Sequence, residues 1–167
     1  MGIFETRITI LALRIAQVIL AIVVLGLTAY VAHWWSNYWH AMSPSQINFL
    51  IFDAVWTMLV LLYLIIVPWR FDYSIANHIF AILTAELLTM IFWFAGFIAL
   101  AVFLADRVCF GHVCSAAKAA AVFGAFEWAV FVGTTVLAAR QIIRARGSGG
   151  ASARGKPDPN LNIQEGV

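Results

Sequence analysis

Asp53, Glu86 and Glu127 each interrupt a long apolar run of this chain. A carboxylate in hydrocarbon costs about 2.5–3.5 kcal/mol even on an insertion scale, so such acids face other protein or a functional cavity. Arg14 and Gln17 add polar groups to a further apolar run, three residues apart and hence on one helical face. Asp53 and Thr57 share a face at a spacing of four, and Glu86, Thr89, Trp93 and Phe97 share another. Two kinds of chemistry fit these groups. They can join helices by hydrogen bonds, worth about 0.6 kcal/mol each on average in membrane proteins. They can instead line a proton or cation pathway. Transporters usually show inverted repeats or broken helices, and no repeat is visible here.

The runs that must position these residues follow from composition. The chain has 167 residues, of which 63% are apolar and only 11% charged, against about 25% charged in an ordinary soluble domain. A small globule in water cannot hide that much apolar surface. The values exclude a disordered chain, a nucleic-acid binder and an ordinary soluble enzyme. Four stretches reach the roughly 20 apolar residues that cross a bilayer as helix: about residues 8–31, 47–67, 75–104 and 116–143. They are continuously apolar rather than alternating, which favours helices over a barrel. The expected fold is an all-α integral membrane protein, an up-down bundle of four transmembrane helices within residues 1–146. Residues 147–167, opening on Gly147-Ser148-Gly149-Gly150, lack apolar mass and read as a disordered polar tail.

The expected breaks are the loop His33–Gln46 with Ser43-Pro44, the turn Pro68-Trp69-Arg70-Phe71-Asp72, and the loop Asp106–Ser115. The first apolar run is too long for a cleaved signal peptide and reads as a retained anchor. Met1 to Thr6 fits the loose myristoylation pattern at Gly2; coincidence explains so short a match. Lys and Arg mark the cytoplasmic side. Arg7, Arg14, Arg70, Arg140, Arg144, Arg146, Arg154 and Lys156 fall on one side of the four-span topology, and Arg107 and Lys118 on the other. Both termini are therefore expected in the cytoplasm.

On the outer side, His33-Trp34-Trp35-Ser36-Asn37-Tyr38-Trp39-His40 has the composition of an interfacial aromatic belt, with Trp69 and Tyr73 as its inner counterpart. A carbohydrate or sterol platform is the sharper alternative for Trp34, Trp35 and Trp39. Cys109 and Cys114 share the second outer loop, where an oxidising exterior favours a disulfide. A cycling redox pair has no second thiol couple to serve. His33, His40 and His112 have no spacing that makes a metal-ligand pair, so neither metal nor cofactor is expected.

In the fourth span Ala117, Ala121, Ala125, Ala129 and Gly133 recur every four residues. This small-xxx-small seam lets another helix approach closely. Glu127 then falls on the opposite side, so both faces seek protein neighbours: the bundle on one, and a second copy, another membrane protein or a second bundle helix on the other.

These features resemble the MARVEL-domain proteins, of the fungal type that includes the non-classical export protein family. The resemblance rests on four short-looped spans and on Arg14-Ile15-Ala16-Gln17, Trp56 with the Leu-rich run to Tyr63, Phe92-Trp93-Phe94-Ala95-Gly96, and Cys109 and Cys114 before the Ala-rich fourth span. It implies a role in membrane microdomains rich in sterol or sphingolipid, such as the furrow-like eisosome domains of the plasma membrane, or in membrane apposition or trafficking. It carries no catalytic residues. The expected function is a non-enzymatic plasma-membrane organiser with lipids, other membrane proteins or further copies of itself as partners. The rivals are a small ion- or proton-coupled transporter or channel subunit using Asp53, Glu86 and Glu127, and an accessory subunit of a membrane enzyme.

Overall fold

The structure, a computed structural model, describes residues 3–40, 42–70, 75–106 and 111–152. They form four α-helices: α1 (Ile3–Trp39), α2 (Ser45–Arg70), α3 (Ile75–Ala105) and α4 (His112–Ser152). Each contains a segment long and apolar enough to cross a membrane. Consecutive helices pack against each other, and α4 closes the ring on α1. Among the described residues α1 does not approach α3, nor α2 α4, so these two pairs are the diagonals of a four-cornered bundle. The start of α1 and the end of α4 lie at one end of the bundle, and the ends of α1 and α3 with the starts of α2 and α4 at the other.

The buried positions alternate in steps of three and four. On α1 they are Arg14, Gln17, Ala21, Val24, Thr28 and Val31; on α3, Glu86, Thr89, Trp93, Gly96 and Leu100. On α2 Ile47, Leu50, Ala54, Thr57, Leu61 and Leu64 follow the same rule, and so do Ala117, Ala120, Gly124, Glu127, Phe131 and Thr134 on α4. A mean spacing of about 3.5 residues is the seam of helices that wrap around one another. Lipid is as apolar as leucine, so close packing and hydrogen bonds, not the hydrophobic effect, hold such a bundle together. Gly96 shows the closeness: a Cβ there would stand 2.8 Å from Cδ2 of Leu50 on α2. The outward faces carry large apolar side chains, among them Ile15, Ile19, Leu59, Ile91, Ile98 and Phe126.

Several boundaries differ from those expected. α1 continues through the aromatic segment to Trp39, so the loop expected from His33 to Gln46 shrinks to His40–Pro44. Nothing in His33–Trp39 breaks a helix; the chain turns at His40, with φ 45°, before Ser43-Pro44 opens α2. α2 runs on through Pro68 to Arg70, and what remains of the expected inner turn, Phe71-Asp72, lies outside the described residues. A proline near a helix end forfeits its own donor while its neighbours keep theirs. At the next turn Gly111 has φ 86°, which a side chain would strain, and its carbonyl accepts the Ser115 N–H at 3.3 Å. α4 passes the tail boundary expected after Arg146 and ends at Ser152, since extending a helix costs no new nucleus. Gly2 and residues 153–167 lie outside the described residues.

Candidate functional site

The heptad seams bring the polar residues of all four helices to the axis. Towards the end where α1 begins, the Arg14 guanidinium on α1 forms a buried ion pair with Oε1 of Glu86 on α3, across the diagonal. Arg14 also donates from Nη1 to Oε1 of Gln17 at 3.1 Å. Gln17 Nε2 reaches the Thr134 hydroxyl of α4 at 3.5 Å, and that hydroxyl donates to the Phe131 carbonyl at 3.1 Å. One chain of contacts thus joins α1, α3 and α4.

A second set joins α2 to α3. The Trp93 indole N–H donates to the Thr57 hydroxyl at 2.9 Å, and the Trp56 N–H to the Thr89 hydroxyl at 3.1 Å. Trp93 is fully buried, and such a ring needs a partner for its N–H. Around Trp56 the rings of Phe49, Phe52 and Phe92 pack with centroids 5.9–6.3 Å apart. Between α3 and α4, Phe94, Phe97 and Trp128 form a comparable group at 5.6–6.0 Å.

Asp53 on α2 and Glu127 on α4 stand apart from both sets. Each is wholly buried, and all four carboxyl oxygens have no hydrogen-bond partner among the described residues. Oε2 of Glu86 is in the same position. The layer expected from Arg14, Gln17, Asp53, Glu86 and Glu127 therefore lies in the bundle interior, but its members are not equivalent. Arg14, Gln17 and Glu86 are joined, whereas Asp53 and Glu127 are not hydrogen-bonded to them. Thr134 escaped the sequence reading; its place seven residues after Glu127 on the α4 seam was the available signal.

The four-residue seam of α4 needs correction as one continuous surface. Ala117 is buried, Ala121 and Ala125 are half-buried, and Ala129 and Gly133 are exposed. Four residues turn a helix by about 400°, so a stripe of that period slips by about 40° at each step. It starts in the core and ends on the outer face, where nothing lies within 4 Å of a Cβ built on Gly133. Glu127, expected opposite the seam, points into the core between Gly124 and Phe131.

At the loop end Trp34 and Trp35 are half-buried in the last turns of α1. Trp34 stacks on Tyr38 at 4.9 Å and meets Trp35 edge-on at 6.0 Å. A cleft of about 400 Å³ opens beside them, lined by Trp35, Met42, Pro44, Ser45, Gln46 and Phe103. The side chains of Trp39 and Trp69, and Cys109 as a whole, lie outside the described residues. Cys114 is buried in the first turn of α4. No trio of His, Cys, Asp or Glu able to hold a metal occurs among the described residues.

Four membrane-length helices with polar residues turned inward and apolar residues outward define an integral membrane protein built as a four-span bundle. Residues 7–137 match the MARVEL membrane-associating domain, and the chain belongs to that family. The match begins just before the first span and ends within the fourth. No curated protein and no solved structure matches the chain.

Proposed function

We propose that this protein is a non-enzymatic organiser of lipid and protein microdomains in the plasma membrane, acting through lateral contacts of its outer surface. The observation that carries the reading is the division of labour in the helices. Their polar groups are turned to the axis, and apolar side chains cover the outside. A surface of this kind meets lipid tails and the helices of neighbours. Exposed Ala129 and Gly133 on α4 give such a neighbour a place of close approach. The cleft beside Trp35 offers an aromatic wall and the polar Ser45 and Gln46 to a sterol or sphingolipid headgroup.

In this reading both termini face the cytoplasm, as the distribution of Lys and Arg favours. Basic residues from Arg140 onward then hold anionic headgroups at about 1 kcal/mol per nearby cation. Cys109 pairs with Cys114 on the opposite side; the absence of free cysteines among the described residues supports this. The kinship with the fungal non-classical export group belongs to the same proposal.

The test is extraction of the full chain from native membranes in polymer-bounded discs, with identification of the lipids and proteins retained. Enrichment of sterol or sphingolipid over the bulk membrane, with reproducible membrane-protein neighbours, is expected. Bulk lipid composition and no neighbours overturn the reading. A second reading, a subunit that passes protons or ions, draws on the unpartnered Asp53 and Glu127. It requires flux in sealed liposomes that Glu127→Gln abolishes.

A further inference from the structure

The bundle core holds three carboxyl groups and one guanidinium among the described residues, and Arg14 is committed to Glu86. Asp53 and Glu127 enter the core from α2 and α4, the diagonal whose backbones do not approach, and in one layer: Thr57, one turn from Asp53, accepts the Trp93 N–H, and Gly124, one turn from Glu127, lies against the same ring. On α1 and α3 the neighbouring side-chain donors are committed elsewhere. On α1, Ala21 and Val24 have no polar side-chain atoms, and the Thr28 hydroxyl donates to the Val24 carbonyl at 2.8 Å. On α3, the Thr89 hydroxyl donates to the Ala85 carbonyl at 2.8 Å, and the Trp93 N–H goes to Thr57. Lys118 and Arg140, the other cations with described side chains, are exposed. Four enclosed carboxyl oxygens thus accept no hydrogen bond among the described residues and have no cation committed to them.

A group that satisfies this arrangement brings positive charge and is small enough for a packed core. Calcium and magnesium take six or more oxygen ligands, more than these two carboxyl groups supply, and a second positive charge would exceed what one shared proton or monovalent ion needs to offset their repulsion. We propose that Asp53 and Glu127 form an intramembrane cation site that takes up a proton or a small monovalent cation, and that the bound charge ties α2 to α4 across the bundle axis. Without it the two carboxylates push that diagonal apart; with it they draw together. The site is independent of the lateral role proposed above and requires no passage of ions through the bundle.

The test uses the full chain in nanodiscs of uncharged phospholipid. Infrared spectra in H2O and D2O read protonated carboxyl groups, and equilibrium binding of radioactive sodium or rubidium reads ion uptake. A carboxyl band that shifts in D2O and is lost in Asp53→Asn and Glu127→Gln supports the proton as occupant. Uptake of about one ion per chain, lost in the same variants, supports the metal cation. The double variant Asp53→Asn/Glu127→Gln keeps shape while removing charge, and its melting temperature is expected not to respond to pH or ion concentration, unlike that of the unmodified chain. Neither band nor ion uptake in the unmodified chain overturns the proposal, whatever the variants do.

Discussion

Arg14 and Glu86 form an ion pair although they belong to α1 and α3, helices whose backbones do not approach each other. The two side chains span the bundle diagonal, with Gln17 and Thr134 tying the same layer to α4. Removing one partner leaves the other charge buried and unmatched, which costs far more than the pair itself contributes. Arg14→Met is therefore expected to destabilise by about 3–5 kcal/mol, and Arg14→Met/Glu86→Leu to recover most of that loss. Thermal unfolding of the two single variants and the double variant in detergent measures the coupling; additive losses would count against the pair.

Trp93 contributes both volume and one hydrogen bond to Thr57. Trp93→Phe and Thr57→Val each remove the bond and are expected to cost about 0.6 kcal/mol, with about 1.7 as the upper end. Trp93→Ala also empties a fully buried site and is expected to cost about 3–5 kcal/mol. A cycle over Trp93→Phe and Thr57→Val that shows no coupling would contradict the bond.

The glycines separate by location. Gly96 lies against Leu50, and Gly96→Val is expected to force the α2–α3 contact open at a cost of about 1–3 kcal/mol. Gly133 faces open space, and Gly133→Ala is expected to stabilise the isolated bundle by up to about 1 kcal/mol. Equal responses of the two sites in a melting experiment would overturn this assignment.

The drift of the alanine stripe makes its two ends respond to different assays. Ala117→Leu is expected to lower the melting temperature, because Ala117 is in the core. Ala129→Leu is expected to leave the melting temperature unchanged and to weaken any crosslinking to a neighbour through the exposed end of α4. A destabilised but normally crosslinking Ala129→Leu protein would place that residue in the bundle instead.

The number and approximate positions of the helices were legible in the sequence, because an apolar run of some twenty residues has few alternatives. So was the inward placement of Asp53, Glu86 and Glu127, since lipid offers them no partner. The pairing was not. Arg14 and Glu86 are 72 positions apart, and only the cyclic order of the helices decides which diagonal they cross. On α4 a stripe of small residues with a period of four is visible in the sequence, but which of its members face the core depends on the alternation of three and four that the buried residues follow. The aromatic segment Trp34–Tyr38 was read as a loop from composition, though nothing in it stops a helix.

The diagonal pair also has a consequence in time. At a synthesis rate of 5–20 residues per second, the 72 positions between Arg14 and Glu86 take about 4–14 s to make. During that interval the first two helices exist while the acid that neutralises Arg14 does not. Through that interval Arg14 lacks the partner it has in the finished bundle, and water or headgroups are the surroundings that cost its charge least.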